Sequence, residues 1–254
     1  RKGDKLAVIG SNGAGKSTLM KLIIGLLKAS EGDILLYGKS SKNIKPQELS
    51  RRVSLIYQNP EQMFIKDSIE ADIAYAMQAR GVKDYEQTTA NLLKRFNLTE
   101  LKDRDGRLLS GGQMRRASIA IGIALNPEFL MLDEPTANLD ISTRKEIVRI
   151  LNDMKSITET VMIATHDMQL VCEWANRIIV LCGGNVIADG SRDEIFTNDD
   201  ILKRAGICPP NIFTMAKTLD SRALCYTVDE FMRDFSPQKR DNEARQYKTA
   251  VKEA

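Results

Sequence analysis

The chain has few of the residues and segments that mark a metal-binding, secreted or membrane-spanning protein. Its four cysteines form no C-x-x-C pair and it has one histidine, so adjacent motifs cannot assemble an ordinary zinc site. The longest candidate apolar helix, residues 117–127, lies between two charged residues and is too short to cross a bilayer. Neither this segment nor the charged N-terminus resembles a signal peptide. We expect a cytosolic protein with reduced cysteines that works at a membrane only through a partner.

The charge of the chain is nearly balanced. Of 254 residues, 37 are Lys or Arg and 34 are Asp or Glu, which gives a net charge of +3. This charge is too small to indicate a nucleic-acid-binding surface, and no nucleic-acid partner is expected. With 43% hydrophobic and 28% charged residues, the composition is typical of a soluble globular protein with one large or two modest domains.

A glycine-rich segment gives the first functional prediction. Residues 10–17, Gly-Ser-Asn-Gly-Ala-Gly-Lys-Ser, match the phosphate-binding pattern G-x-x-x-x-G-K-[ST] at every fixed position. The apolar residues 6–9 predict a buried parallel strand before the loop, and apolar residues recur at helical spacing after it. The recurring residues are Leu19, Leu22, Ile23, Leu26 and Leu27. The loop is therefore expected to join a strand to a helix.

This position gives the loop its chemistry. The glycines let the backbone approach a ligand closely, while free N–H groups and the positive end of the helix face the phosphates. Lys16 adds a charge for the β- and γ-phosphates, and the Ser17 hydroxyl can bind Mg²⁺. We predict ATP or GTP binding; the alternative is a glycine-rich turn with a solvated lysine. The predicted ligand-binding residues are Gly10, Ser11, Asn12, Gly13, Ala14, Gly15, Lys16, Ser17 and Thr18.

Strands and helices alternate along much of the remaining chain. Thr143 and Glu146 form a capping box that predicts the start of one helix. Beyond Gly190 the pattern weakens, and a helix at residues 201–205 ends before two prolines. The alternation predicts an α/β fold with a mostly parallel central sheet. Strands are predicted at residues 32–37, 53–57, 129–132 and 161–165, an edge hairpin at 178–189 and a helical insertion at 67–98.

Two carboxylates follow the predicted strand at residues 129–132. Asp133 and Glu134 would lie at the carboxyl end of a parallel sheet, where such sheets bind ligands. Asp133 can hold Mg²⁺, and Glu134 can orient or deprotonate an attacking water. Alone, such a pair is often a helix-capping turn. Because the chain also has a phosphate-binding loop, we favour the catalytic interpretation.

The segment at residues 109–113, Leu-Ser-Gly-Gly-Gln, narrows the prediction, because most phosphate-loop enzymes have nothing like it. With it, the sequence resembles the ATP-binding cassette (ABC) ATPases over about residues 1–205. The resemblance implies a P-loop NTPase fold, the ABC nucleotide-binding domain, with an inserted helical subdomain at about residues 60–126. The motifs, in the family's order, are the phosphate loop, Gln58 of the Q-loop, this signature, Asp133-Glu134 of Walker B, Asn138-Leu139-Asp140 of the D-loop and His166 of the switch.

The resemblance also implies that the cassette works as a dimer. Ser110 and the N–H groups of Gly111 and Gly112 lie at a predicted helix N-terminus and can bind an anion. In the family this second site, which includes Gln113, closes over the γ-phosphate bound to the opposite subunit, and Asp140 lies at the dimer interface. The implied partner is a second ABC ATPase protomer, identical or different, and the implied cofactors are ATP and Mg²⁺.

Two further roles come from the resemblance. His166 would sense the γ-phosphate; the alternative is a helix cap, which a lone histidine after a strand often is. Gln58 would touch Mg²⁺ or water and link the site to the helical insertion; the alternative is a plain loop amide. The resemblance thus implies Glu134, His166 and Gln58 as catalytic residues, and Ser17, Gln58 and Asp133 as metal ligands.

A narrower resemblance lies in residues 58–64, Gln-Asn-Pro-Glu-Gln-Met-Phe, followed by Asp72-Ile73-Ala74. These segments are similar to the ATPases of energy-coupling factor (ECF) transporters and of related cobalt and nickel importers. The resemblance implies ATP-driven uptake of a vitamin or a transition-metal ion, at the cytoplasmic face of the cell membrane. Integral membrane subunits are the implied partners, and the segment around Gln62 would border the groove that receives their coupling helix.

Both ends of the chain carry expectations of their own. ABC domains have an antiparallel strand pair and an adenine-stacking aromatic residue upstream of the first buried strand, and this sequence starts later. If the chain is a truncation, we expect weak nucleotide affinity. Tyr37 is an alternative residue for stacking on the adenine. The sequence that precedes this chain in a longer protein could hold a first cassette. Residues 206–254 are predicted to form a C-terminal extension, and residues 193–210 resemble the C-terminal extension of the ECF group. From residue 237 the chain is rich in charged residues, which predicts a solvated helix or a disordered tail.

A different class of function stays open at this point. A soluble ABC ATPase that acts on nucleic acid or ribosomes would have no membrane partner. Such proteins usually carry coiled-coil insertions, zinc cysteines or a second cassette joined by a charged linker, and none is visible in the sequence. A small-molecule kinase with the same loop would not explain residues 109–113.

Overall fold

The computed structural model describes residues 2–36, 38–154 and 157–236. Its strands are β1 (Lys5–Ile9), β2 (Leu35–Leu36), β3 (Lys39–Ser40), β4 (Val53–Ile56), β5 (Phe129–Asp133), β6 (Thr160–Ala164), β7 (Arg177–Cys182) and β8 (Asn185–Gly190). Its α-helices are α1 (Lys16–Ile23), α2 (Pro46–Arg52), α3 (Ile69–Gln78), α4 (Tyr85–Arg95), α5 (Gly111–Ile123), α6 (Ile141–Asp153), α7 (Met168–Trp174), α8 (Arg192–Phe196), α9 (Asp199–Ala205), α10 (Asn211–Leu219) and α11 (Val228–Asp234).

Strand β1 lies inside the main sheet, whose described strands follow the order β4-β5-β6-β1-β7-β8. It pairs in parallel with β6 and β7, so that Ala7 faces Ile163 on one side and Ile178 on the other. Strand β5 pairs in parallel with β4 and β6, and β8 runs antiparallel to β7 at the edge. The predicted mostly parallel α/β sheet is therefore confirmed, and the carboxyl ends of β1, β4, β5 and β6 share one edge.

The helices α3, α4 and α5 form the helical insertion that the sequence predicts between β4 and β5. Helix α3 buries Ile69, Ile73 and Met77, which recur at helical spacing. Gly81 has a φ of +66° and separates α3 from α4. Helix α5 packs against α3, against β4 and against a 3₁₀ turn at Pro60–Met63. It therefore connects the insertion to the sheet.

The first helix is shorter than the apolar pattern predicts. Helix α1 ends at Ile23, and Gly25 follows with a φ of +75°, a left-handed backbone conformation that ends helices. Leu26 and Leu27, which continue the predicted helical spacing, lie beyond the helix and are 58% and 44% exposed. The prediction was wrong because the leucine spacing continues through a glycine that stops the helix.

Two other local predictions need correction. Helix α6 does not begin at a Thr143–Glu146 capping box, because the Asp140 carboxylate, an ionised acceptor, receives hydrogen bonds from the amides of Ser142 and Thr143. Glu146 instead pairs with Arg116 at 2.7 Å. Of the strand predicted at residues 32–37, the described residues 32–36 hold only β2, which pairs with β3 in a separate two-stranded ribbon.

The region beyond Gly190 is more regular than the sequence pattern indicates. Helices α8 to α11 lie there, although the pattern predicted a helix at residues 201–205 alone. The Phe213 ring stacks on Tyr226 at 5.0 Å, and the Arg192 guanidinium lies 4.6 Å from the same tyrosine ring. These aromatic rings belong to the same buried cluster as sheet residues. The predicted tail, residues 237–254, lies outside the described residues.

Gly122 tests how tightly α5 packs against β4. A Cβ at this position would lie 2.7 Å from Cγ1 and 2.9 Å from Cδ1 of Ile56. We expect Gly122→Ala to destabilise the protein by about 1–3 kcal/mol, because overpacking outweighs the gain in helix propensity of about 1 kcal/mol. The measurement is Tm by circular dichroism. In an Ile56→Ala background the same change should raise Tm; an equal fall in both backgrounds would contradict the packing.

Candidate functional site

The phosphate loop follows β1 and has the backbone that its glycines predict. Gly13 and Gly15 have φ values of +81° and +104°, and a Cβ at Gly10 would overlap the carbonyl oxygen of Leu181. The side chain of Lys16 is 8% exposed, and its Nζ donates to the Gly10 and Ser11 carbonyls at 2.8 and 3.2 Å. The ammonium group is therefore held over the loop.

One cavity of about 280 Å³ brings most of the predicted site residues together. The loops after β1, β4, β5 and β6 supply its walls, as expected for the carboxyl edge of a parallel sheet. The predicted catalytic residues Gln58, Glu134 and His166 all line it. The other lining residues are Asn12, Gly13, Ala14, Gly15, Lys16, Ser17, Thr18 and Asp133.

Glu134 and His166 form a hydrogen-bonded pair in this cavity. The Glu134 side chain is almost buried, and its Oε1 lies 2.7 Å from His166 Nδ1. Its Oε2 accepts hydrogen bonds from the Thr165 hydroxyl at 2.9 Å and from the His166 amide at 3.4 Å. Glu134 has a φ of +46°, a strained conformation for a residue with a side chain. The hydrogen bonds fix the direction of its carboxylate.

The Ser17 hydroxyl and the Asp133 carboxylate fit a magnesium site. Burial raises the pKa of Asp133, and the negative charge of Glu134 raises it further. The hydrogen bond from Ser17 lowers the pKa of Asp133 but does not outweigh these two effects. Hydroxyl and carboxylate oxygens are ligands that Mg²⁺ accepts, and it usually keeps water and phosphate oxygens as further ligands. Among the described residues, no group of three or more His, Cys, Asp or Glu side chains is arranged to hold a metal by itself.

Arg115, on α5, is a site residue that the sequence reasoning missed. Its side chain is buried, and it donates from Nη1 to the Tyr57 carbonyl at 3.0 Å and from Nη2 to the Gln58 carbonyl at 2.7 Å. Burial lowers the pKa of Arg115 to about 10, and the nearby charge of Asp133 opposes this shift. The available signal was a pair of arginines, Arg115 and Arg116, at the start of a helix whose following residues are mostly apolar.

A second missed group fixes the loop that carries His166. Asp167 accepts hydrogen bonds from Thr136 Oγ1 at 3.1 Å and from Arg144 Nε at 3.0 Å. It also caps α7 at the Leu170 amide. Burial alone would raise the pKa of Asp167, but the hydrogen bonds from Arg144 and Leu170 outweigh it and hold the pKa below its usual value.

The predicted signature residues lie outside the 280 Å³ cavity. Ser110 caps α5 and forms a capping box with Gln113, and both Ser110 and Gly111 are exposed. A Cβ at Gly112 would clash with Thr143, whereas none of the described atoms lies within 4 Å of a Cβ built at Gly111. Gly111 lines a wider cleft of about 940 Å³ that also reaches Ser17, Gln58 and Asp133.

Asp140, predicted at the dimer interface, also lies outside the smaller cavity. The hydroxyl of Thr143 donates to its Oδ2 at 2.6 Å, and hydrogen bonds from Thr143 hold the pKa of Asp140 below its usual value. The next residue, Ile141, is 77% exposed. Tyr37, the alternative adenine-stacking residue, lies outside the described residues, and the weak nucleotide affinity stays a prediction.

The family of the chain is shown by a family model that matches slightly more than half of its residues. The family model described as ABC transporter matches residues 1–137. The chain belongs to the ABC transporter family. Its P-loop fold, mostly parallel sheet and helical insertion agree with this assignment. Within the described residues, no helix has the length and apolar character needed to cross a bilayer.

Relatives of known sequence and structure lie in the same family. One relative is a Streptococcus mutans protein with the name "Putative ABC transporter ATP-binding protein". It is 36% identical over 228 residues, which are 89% of this chain and 41% of that protein. The energy-coupling factor transporter ATP-binding protein EcfA of Methanothermobacter thermautotrophicus is 34% identical over 213 residues, 82% of this chain and 68% of that protein. The chain spans about half the length of several curated relatives, from 38% to 57%.

A solved ABC protein gives the structural comparison. The structure of cbiO1 from Clostridium perfringens, described as part of the ABC transporter complex cbiONQ, matches with a TM-score of 0.71. It is 32% identical, and the match covers 80% of this chain and 83% of that one. The predicted membership of the ABC family is therefore confirmed, and so is the predicted resemblance to ECF-type ATPases.

Asp133, which is buried, and Asp167, which is half-buried, should respond to substitution in opposite directions. The raised pKa of Asp133 means that the fold disfavours its ionised form, so Asp133→Asn should raise Tm at neutral pH. This gain should shrink as the pH falls and should disappear below the ordinary Asp pKa of 3.8, where the carboxyl is protonated in both states.

Asp167→Asn is the matched control. Because its pKa is lowered, ionised Asp167 stabilises the fold, and the variant should have a lower Tm at neutral pH. This deficit should disappear as the pH falls through the folded pKa of Asp167. Thermal melting of both variants between neutral and acidic pH is the measurement, and a Tm shift of the same sign at neutral pH would contradict the assignment.

Proposed function

We propose that the chain is the ATP-binding and ATP-hydrolysing part of an ABC importer of the ECF type. The observation that carries this proposal is the cavity shared by the phosphate loop, Gln58 and the hydrogen-bonded Glu134–His166 pair. Relatives that are named ECF transporter ATP-binding proteins, and the likeness to cbiO1, support the narrower class. The transported solute in this proposal is a vitamin or a transition-metal ion.

The nucleotide would bind at the phosphate loop, residues 10–18. Amide groups at the start of α1 would face the phosphates, and Lys16 would exchange its loop carbonyls for the β- and γ-phosphate oxygens. Ser17, Gln58 and Asp133 would hold Mg²⁺, which supplies charge neutralisation at the phosphates. The neighbouring hydroxyl and carboxylate oxygens described above support this assignment.

Glu134 would act on the attacking water, as a base or as an orienting acceptor. Its Oε1, now paired with His166, lies on the cavity wall, and its Oε2 is held by Thr165. His166 would keep the carboxylate in place and contact the γ-phosphate, while Gln58 would orient the water from the loop after β4. Catalysis would then come from positioning and electrostatic stabilisation rather than from a covalent intermediate.

A second cassette would complete the site. Ser110, Gly111, Gly112 and Gln113 lie at the exposed N-terminus of α5, outside the cavity of their own chain. A helix N-terminus with free amides is suited to bind a phosphate of the opposite protomer. Asp140, at the exposed start of α6, would lie at the same interface. ATP would thus bring two protomers together, and hydrolysis would release them.

The proposed location is the cytoplasmic face of the cell membrane. Integral membrane subunits would bind the cassette in the groove bordered by the segment around Gln62, and no nucleic-acid partner is part of the proposal. We further propose residues 1–205 as the ATPase domain and residues 206–254 as a C-terminal extension. The solute would be selected by the membrane subunits.

The role of Glu134 is tested with Glu134→Gln. We expect ATP binding to persist while kcat falls by about 100-fold or more, because the variant has no carboxylate to act on the water. Size-exclusion chromatography with light scattering should show a dimer that accumulates with ATP. Glu159→Gln, at an exposed ion pair with Lys2, is the control and should leave kcat unchanged. Undiminished phosphate release by Glu134→Gln would remove Glu134 from this role.

The transport assignment is tested by purification from native membranes. The full-length protein, tagged at its C-terminus and extracted in mild detergent, should co-purify with integral membrane subunits that stimulate its ATPase activity. A sample treated with high salt separates peripheral attachment from non-specific adsorption. If the protein carries no membrane subunit and instead brings down RNA or ribosomes, the importer assignment is wrong.

A further inference from the structure

Arg115 occupies a position in α5 that packing alone does not explain. Its side chain is 3% exposed, yet within the described residues no carboxylate oxygen lies within 4.0 Å of its guanidinium nitrogens, and its Nε has no hydrogen-bond partner. Its neighbour Arg116, by contrast, pairs with Glu146 at 2.7 Å. A buried cation without a paired anion destabilises a fold. The benefit of Arg115 must therefore lie in what its guanidinium holds.

The guanidinium holds the backbone of the loop that carries Gln58. Its two terminal nitrogens donate to consecutive carbonyls, those of Tyr57 and Gln58, in the planar fork geometry that arginine provides. This loop follows β4 directly, and the exposed Gln58 side chain projects into the nucleotide cavity. The hydrogen bonds span 58 and 57 residues of sequence, so they join two elements that the chain does not place together.

The same helix also carries the proposed phosphate clamp. Ser110 caps α5, and the Arg115 side chain leaves the helix from its second turn. Since α5 is a continuous helix from Gly111 to Ile123, a rotation of its N-terminus must also move the guanidinium. The carbonyls of Tyr57 and Gln58 would then either move with the guanidinium or lose their hydrogen bonds from it. Besides the packing of α5 against the turn at Pro60–Met63, the Arg115 side chain thus links the clamp to the backbone of Gln58 by hydrogen bonds.

We propose that Arg115 is a positioning residue that makes the placement of Gln58 depend on the orientation of α5. The inference rests on the proposed function, since it assigns to Gln58 a part in hydrolysis and to Ser110 a contact with the opposite nucleotide. Gln58 would reach its working position when α5 is oriented for the partner's phosphate. Hydrolysis would be slow whenever the clamp is misaligned.

The test compares Arg115→Met with Arg116→Met, which removes a neighbouring partly buried cation that does not touch the loop. Hydrogen–deuterium exchange of the full-length protein is measured first, and it needs no catalytic activity. Exchange of the amides at residues 57–59 should be about fivefold faster or more in Arg115→Met, because the loop carbonyls lose both donors, and unchanged in Arg116→Met. Unchanged exchange in Arg115→Met would overturn the inference.

A double-mutant cycle then decides whether Arg115 acts through Gln58. Alone, Arg115→Met should lower kcat about tenfold, while KM for ATP stays within about twofold. In a Gln58→Ala background the same change should lower kcat by less than about twofold, since its target side chain is already gone. An equal loss of kcat in both backgrounds would show a merely structural effect and overturn the inference.

The two proposals fail in different ways. If the wild-type protein with its partners hydrolyses no ATP, the whole proposed function is wrong. If Gln58→Ala retains full kcat, the role proposed for Gln58 is wrong. The exchange measurement still decides whether Arg115 holds the loop. If ATP hydrolysis is normal and depends on Gln58, but Arg115→Met and Arg116→Met behave alike, only the inference on Arg115 is lost.

Discussion

The parallel pairing of β1 with β6, and of β6 with β5, is the constraint on which the candidate site depends. It places the phosphate loop, His166 and Glu134 directly after the carboxyl ends of adjacent strands. The Thr165 amide donates to the Val8 carbonyl at 3.1 Å, and the Glu134 amide donates to the Ala164 carbonyl at 2.8 Å. Because successive side chains of a strand point to opposite faces, a one-residue slip would turn Asp133, the last residue of β5, away from the loop.

The site also contains a strained backbone and a buried carboxyl group, both of which destabilise the fold. Glu134 has a left-handed backbone, which costs about 1–3 kcal/mol for a residue with a side chain. Burial and the adjacent Glu134 raise the pKa of Asp133, so the fold disfavours the ionised form of this carboxyl. Hydrogen bonds from Thr165 and from the backbone and ring of His166 offset part of this cost. Such a concentration of strain and charge is typical of catalytic sites.

Helix α5 connects the surfaces that the proposed mechanism needs to coordinate. Its N-terminus presents Ser110 and Gly111 to the outside, its second turn sends Arg115 to the loop after β4, and Gly122 packs tightly on Ile56. The Asp167 network gives α6 a similar connection, because Arg144 links the helix that Asp140 caps to the loop of His166. Motion of α5 would therefore reach Gln58, and motion of α6 would reach His166, the side chains for which we propose catalytic roles.

Much of the fold was predictable because its signals are local. The apolar runs of β1, β5 and β6, the glycines of the phosphate loop and the capping box of α5 each lie within a few consecutive residues. Where a competing local signal was overlooked, the prediction was wrong: Gly25 ends α1, and Asp140 starts α6 three residues before Thr143. Helices α10 and α11 were missed because they are anchored by contacts with distant segments. Phe213 of α10 belongs to a buried cluster with sheet residues, and Glu230 of α11 pairs with Arg192.

The sequence by itself determined which chemical groups the protein has and the order in which its strands and loops present them. It also determined the phosphate-binding backbone, since glycine conformations depend on the residues themselves. Tertiary structure alone decided that Glu134 would pair with His166, 32 residues away, and that Arg115 would hold the carbonyl of Gln58, 57 residues away. These contacts depend on the register of the sheet and on the packing of α5, and neither is encoded in a short segment of the chain.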